Sequence, residues 1–329
     1  MPTLREFMQK INIRARVTWE EPLSLHTTFK IGGPAEAFAR PEDSASASAL
    51  KAAARAEGIP IFVLGGGANV LVGDRGIRGI VMDTSSLRSV DMEAEEGLLV
   101  AGAGLSMDEL CLEALARGSG GLEDFAGLPG SVGGAVFMNA RCYEREMSQI
   151  LAWVSSADDR GRIVRRPVSA AASEARAAGE AGALSFAQEW FYKHSPYQPG
   201  GSSGGELILE AAFRLTPADD EAAARIARVM RARRADREAK GHYRLPSAGS
   251  VFKNDRSLGA PTGALLDRLG LRGRRIGDAM ISPWHANIFV NAGSATAADM
   301  RELIELARGE ARERLGIELE LELLMVGEF

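Results

Sequence analysis

The stretch Leu64–Val72 reads LGGGANVLV, three consecutive glycines set after the apolar run Ile61–Leu64 in the manner of a phosphate-binding loop. A dinucleotide fingerprint would need G-x-G-x-x-G at the mouth of a helix. Here Ala68 and Asn69 lead instead into Val70-Leu71-Val72, a β-branched run that reads as another strand. A second glycine-dense stretch, GLEDFAGLPGSVGGAVFMNAR, spans 121–141. Read singly, each is a tight turn before it is a cofactor site; two such loops flanked by strands shift the balance toward an anion site. Backbone N–H groups without a Cβ beside them can approach phosphate oxygens closely and form a nest. Arg231, Arg233, Arg234 and Arg237 crowd one helix end, either as a solvated face or as an attraction for a diphosphate. Glu322 sits where the alternating run IELELELLMVG turns fully apolar, which directs its carboxylate toward a cleft.

The elements that must position these groups alternate along the chain. A strand is expected at Ala35–Ala39, then a helix capped by Ser44 and ended by Gly58, then strands at Ile61–Leu64, Val70–Val72 and Gly79–Met82. Further on come a strand at Leu98–Ala101 and helices at Ser106–Arg117, Asp219–Lys240 and Gly263–Leu269. A strand at Ala286–Asn291, a helix at Ala297–Leu315 closed by Gly316, and a final strand through 317–326 complete the pattern. The low-complexity stretch 169–183 reads as a weak helix and PGGSSGG at 199–205 as a mobile loop.

A chain of 329 residues implies two or three domains. A net charge of −5 excludes a general nucleic-acid surface. Cys111 and Cys142 form no CxxC or Cys/His cluster, which argues against structural zinc and for a reducing compartment. The charged N-terminal segment lacks the apolar core of a signal peptide, and no apolar run approaches the ~20 residues of a membrane span. A soluble cytoplasmic protein without a metal, nucleic-acid or membrane partner is expected.

Taken together, HTTFKIGGPA at 26–35, VLGGGANVLV at 63–72, GLPGSVGGAVFMNA at 127–140, FYKHS at 191–195, AGSVFKN at 248–254, HANIFVN at 285–291 and the closing segment through Glu322 resemble the UDP-N-acetylenolpyruvoylglucosamine reductases. They occur in that family's order over nearly the whole chain. The resemblance implies an α+β fold: a two-part FAD-binding domain of the PCMH, or vanillyl-alcohol-oxidase, type and a C-terminal α+β substrate-binding domain. The divisions expected are 1–84 and 85–218 for FAD and 219–329 for substrate. The resemblance places Gly65, Gly66, Gly67, Ala68, Asn69, Gly127, Pro129, Gly130, Ser131, Gly133 and Gly134 against FAD. The family usually has serine at the position of Ala68, so one hydroxyl is missing.

The implied reaction is reduction of UDP-N-acetylglucosamine enolpyruvate by NADPH through FAD, in peptidoglycan precursor synthesis. Hydride passes from flavin N5 to the vinyl carbon, and the neighbouring carbon then takes a proton. Ser250 matches the family's proton donor, and Glu322 its acidic residue toward the enol. Lys193 stands where the family carries an arginine for the enol carboxylate. Lysine keeps the charge but not the bidentate fork. A neighbouring arginine taking over, or a slipped loop register, are the alternatives. Tyr192, Lys253, Asn254 and His285 are assigned to substrate, His285 with packing as its rival role, and His194 reads as a loop histidine. Asp255 replaces a usual proline, and Arg141 stands where glycine is common. No tyrosine-bearing insertion fits between Phe213 and Pro246, so the chain reads as the variant without that loop. A monomer is expected. The rival readings are an FAD oxidoreductase of the same fold with another substrate, and a degenerate flavin or UDP-sugar binding protein.

Overall fold

The computed structural model describes residues 3–93, 96–168 and 186–329; the helix expected within 169–183 lies outside them. Two compact units emerge: residues 1–18, 38–66 and 79–234 form the first, and 19–37, 67–78 and 235–329 the second.

The first unit is built on a five-stranded antiparallel sheet in the order Ile163–Pro167, Leu151–Ala157, Leu207–Arg214, Leu98–Gly102, Val90–Glu93. Leu151–Ala157 is buried along its whole length, as a strand covered on both faces must be. Helices Met107–Ala116 and Val132–Phe137 contribute Leu110, Ala114, Val132 and Val136 to the core beneath, with Leu99, Val154, Phe213 and Trp190. Met107–Ala116 opens with a capping box between Ser106 and Glu109. In a four-stranded sheet, Ile61–Leu64 pairs parallel with Ile77–Asp83, Ile61 opposite Ile80. Helix Ser44–Ala56 precedes these strands, and its cap is Asp43, which accepts the Ser46 N–H at 2.7 Å. The expected cap at Ser44 is therefore one residue late, because the carboxylate preceding it reaches the free N–H first. The 199–205 stretch, expected as a mobile loop, is hydrogen-bonded into turns. Gly201 N–H donates to Gln198 O, Ser203 N–H to Pro196 O and Ser202 N–H to the Glu189 carboxylate.

The second unit has a four-stranded sheet in the order Ser247–Ser250, Ile288–Asn291, Ala279–Ile281, Arg275–Ile276. Helix Ala297–Leu315 covers it with Met300, Leu303, Ile304 and Ala307. Thr296 and Asp299 form a capping box at its start, Asp74 accepts the N–H groups of Ala297 and Ala298, and Gly316 ends it at φ 68°. The closing strand is shorter than the alternation predicts. Only Leu324–Val326 is strand, pairing parallel with Val70–Val72. Over 317–323 the chain forms a single bridge, Leu321 to Phe252, and no strand. Alternation is satisfied there by burying Leu319 and Leu323 while Glu318 and Glu320 face solvent, without a ladder.

Candidate active site

In the first unit the two glycine stretches meet backbone to backbone. A Cβ on Gly66 would lie 2.6 Å from Gly130 Cα, and one on Gly65 2.5 Å from Ser131 Oγ. Ser131 holds the junction: its hydroxyl accepts the Gly66 N–H at 3.2 Å and, as N-cap of helix Val132–Phe137, the Gly134 N–H at 3.3 Å. Gly133 N–H donates to Ala103 O, and a Cβ there would stand 2.9 Å from that of Ala103. Gly130 takes φ 106° and Gly127 φ 73°, conformations that favour glycine, and Gly127 N–H is held by Asp108 at 2.9 Å. Pro129 lies between them. The N–H groups of Gly65, Gly130 and Ser131 have no acceptor among the described residues. A cradle of close-packed glycine backbone with donors left over fits the pyrophosphate of a dinucleotide cofactor.

In the second unit, Gly67 turns at φ 61°, and its carbonyl accepts from the Thr28 N–H and hydroxyl. A Cβ there would run into the His26 carbonyl. Ala68 and Asn69 complete the turn into Val70. The Asn69 amide donates to the carbonyl of Glu322 at 3.0 Å, and Leu324 N–H returns to Asn69 O. Asn69 is thus tied directly to the backbone of the candidate acidic residue.

Ser250 and Glu322 are brought together. Strand Ser247–Ser250 carries a register shift against Ile288–Asn291, with Gly249 at φ 73° and Ser250 opposite Ile288. Such a bulge re-aims the side chain that follows it. The next residue, Val251, accepts the N–H of Glu322 at 2.9 Å through its carbonyl, so serine and glutamate stand on adjoining hydrogen-bonded segments, both half-buried. Lys253 N–H bonds Glu320 O, and its ammonium reaches the Glu320 carboxylate at 2.6 Å. Asn254 accepts the Thr262 N–H at 2.9 Å, and the Thr262 hydroxyl donates to Lys253 O. The sequence reading missed Asn287. It is buried, accepts the Phe252 N–H at 3.0 Å and donates to Phe252 O at 2.8 Å, which clamps the strand just after Ser250. His285 lies against Gly263, where a Cβ would stand 2.7 Å from its ring. Burial first, then Lys240 and Arg272, lowers its pKa.

Tyr192 and Lys193 form the tip of a tight turn in the first unit, closed by Phe191 N–H to His194 O and His194 N–H to Phe191 O. Lys193 adopts φ 58°, a costly conformation for a residue with a Cβ. The turn is fastened to the far end of helix Val132–Phe137: Ser195 Oγ and Gln198 Nε2 both donate to Phe137 O, and Asn139 Nδ2 donates to Phe191 O. His194 stacks on Phe191 at 4.1 Å with Nδ1 on Glu189 O. Of the helix-end arginines, Arg233 and Arg234 pair with Asp124 and Asp108, while Arg231 is exposed.

A glycine cradle in a unit of helices packed on an antiparallel sheet, with a second unit whose sheet carries its own polar pair, is the arrangement of an FAD-binding flavoenzyme of the PCMH type. The profile of the FAD binding domain family matches residues 35–166, and that of the C-terminal domain of UDP-N-acetylenolpyruvoylglucosamine reductase matches 241–326. The UDP-N-acetylenolpyruvoylglucosamine reductase of Rubrobacter xylanophilus is 40% identical over 94% of this chain and 95% of its own. That of Treponema pallidum is 38% identical over 93% and 92%. The crystal structure of the Thermus caldophilus enzyme aligns with a TM-score of 0.73 at 31% identity, covering 96% of this chain and all of that one. The chain belongs to the UDP-N-acetylenolpyruvoylglucosamine reductase family, and FAD is its cofactor.

Proposed function

We propose that the protein reduces UDP-N-acetylglucosamine enolpyruvate to UDP-N-acetylmuramate with NADPH, a step of peptidoglycan precursor synthesis. The observation that carries this reading is the junction of Ser250 and Glu322 through Val251, on a strand bulged at Gly249 and clamped by Asn287. Bound FAD would supply the hydride chemistry between NADPH and the vinyl carbon of the substrate. Ser250 gives its hydroxyl proton to the adjacent carbon as negative charge builds there. Glu322, on the neighbouring segment, orients the developing enol through a hydrogen bond. Lys193 offers positive charge to the substrate carboxylate. The loops at 65–69 and 127–134 hold the pyrophosphate, residues 1–84 and 85–218 serve FAD, and 219–329 serve substrate with Tyr192, Lys253, Asn254 and His285. Among the described residues no helix is long and apolar enough to cross a membrane, and a cytoplasmic monomer suits the soluble substrates.

The test is anaerobic mixing of NADPH-reduced, FAD-loaded protein with UDP-N-acetylglucosamine enolpyruvate, followed by flavin absorbance. The oxidised spectrum returns and UDP-N-acetylmuramate forms if the reading holds; a flavin that stays reduced overturns it. Ser250→Ala is expected to keep reduction by NADPH and to lose about 10²- to 10⁴-fold in reoxidation by substrate. Equal loss in both half-reactions removes Ser250 from the role of proton donor.

A further inference from the structure

Around Tyr192 the first unit assembles a second cation that the family motif does not contain. The guanidinium of Arg141 lies 5.8 Å from the Tyr192 ring centroid, and the Lys193 ammonium 5.9 Å from the same ring. Arg141 is only 20% exposed. Its Nε donates to Tyr143 O at 3.3 Å, Nη1 approaches the mostly buried Glu146 at 3.5 Å, and Nη2 meets Glu144 at 2.8 Å. The last carboxylate is 87% exposed, so it sits on Arg141 from the solvent side. Exposed ion pairs of this kind are weak and readily exchanged. Glu146, by contrast, is itself held by Asn139 and keeps the guanidinium in place from within.

The backbone around this group is unusual. Of the five described residues other than glycine with positive φ, three are here: Asn139, Tyr143 and Lys193. Strain of that kind persists where the surroundings over-determine it and concentrates at ligand-holding sites. Here Asn139 bonds Phe191 O and Ser195 bonds Phe137 O, so the turn bearing Lys193 and the segment bearing Arg141 are locked together.

We propose that Arg141 is a substrate-binding residue, supplying to the substrate carboxylate a charge-assisted hydrogen bond from Nη2 that adds to the charge of Lys193. In this arrangement the carboxylate takes the solvent-side place of Glu144 on Arg141 Nη2, Tyr143 O and Glu146 keep Nε and Nη1, and Lys193 adds a point charge across Tyr192. The inference rests on the functional reading above and deepens it: specificity for a carboxylate-bearing ligand is shared between two residues 52 positions apart, 193 minus 141.

The experiment compares dissociation constants of UDP-N-acetylglucosamine enolpyruvate and of UDP-N-acetylglucosamine, which lacks the carboxylate, on FAD-loaded wild type, Arg141→Ala, Arg141→Lys and Glu144→Gln. Arg141→Ala is expected to weaken the enolpyruvyl ligand roughly 10- to 100-fold and leave the other ligand within about twofold. Arg141→Lys falls between, and Glu144→Gln, which removes an exposed competitor, tightens only the enolpyruvyl ligand. Equal weakening of both ligands, or of neither, overturns the inference while leaving the reductase reading intact. A wild type that does not turn over the enolpyruvyl substrate overturns both. If Arg141→Ala loses FAD, the decision passes to Glu144→Gln, and unchanged selectivity there overturns the inference.

Discussion

Gly66→Ala isolates the contact on which the glycine cradle depends. Gly66 does not occupy the left-handed region, so alanine adds a methyl without adding backbone strain. That methyl would stand 2.6 Å from Gly130 Cα and 2.9 Å from Ser131 N. Ordinary carbon contacts sit near 3.5–4.0 Å, so the loops must part by about 1 Å, and no flexible side chain lies between them to absorb it. Overpacking of this order costs about 1–3 kcal/mol. Parting also lengthens the 3.2 Å bond from Gly66 N–H to Ser131 Oγ, worth about another 1 kcal/mol. With about 1.4 kcal/mol per factor of ten, even the lower end weakens FAD roughly tenfold if the open cradle no longer fits the pyrophosphate. The assay is equilibrium titration with FAD by flavin fluorescence, beside a thermal melt. Gly309→Ala provides the opposite case: the position lies within helix Ala297–Leu315, and a Cβ there meets nothing within 4 Å. That change is expected to stabilise by about 0.5–1 kcal/mol. A Gly66→Ala protein with wild-type FAD affinity and melting point would refute the account of the cradle.

Two further outcomes follow from other parts of the structure. Asn287→Ala strips both partners from the buried Phe252 peptide groups, so urea unfolding should show a loss of roughly 2–5 kcal/mol, and a loss under 1 kcal/mol would mean that the clamp is dispensable. Burial, reinforced by Arg237, His285 and Lys240 and opposed by Asp236, holds His242 down to about 4. Between about 6.5 and 4 the unfolded chain therefore binds a proton that the folded protein refuses, and stability is lost as pH falls through that window. The loss from this residue is about 2 kcal/mol between pH 7.5 and 5, with His285 adding in the same direction. A denaturation midpoint that does not move over that range, or that moves equally in His242→Gln, sinks the attribution.

What was legible in the sequence were features with local chemical signals. Helix Ala297–Leu315 announces itself through its length and the Gly316 that ends it. The glycine stretches announce turns, and the ordered motifs announce the family. The contacts that make a site of those motifs were not legible. Gly66 touches Gly130 because neither has a side chain, and the absence of side chains leaves no periodicity that could report a partner 64 residues away. The alternation at 317–323 reads as strand because exposure alternates, yet alternation requires only an extended chain with two environments, not a ladder. Asn287 looked like one polar residue inside a strand motif, and its two hydrogen bonds to the backbone N–H and C=O of Phe252 depend on a register that the motif does not encode. Arg141 was visible only as a departure from glycine; its place beside Tyr192 needed the turn at Lys193 to be folded.

The pairing of Leu324–Val326 with Val70–Val72 also bears on how the protein is made. The two strands are separated by 254 positions, 324 minus 70. At about 5–20 residues per second, the ribosome needs roughly 13–50 s to deliver the second after the first. Throughout that interval the residues after the first glycine turn have been synthesised but their partner strand has not. The Asn69 amide waits for Glu322 O, and Gly73 N–H for Val326 O. The part of the chain that follows the first glycine turn is therefore among the last to reach its final hydrogen bonds, and a nascent chain stalled before residue 322 carries Ser250 without the glutamate that stands beside it.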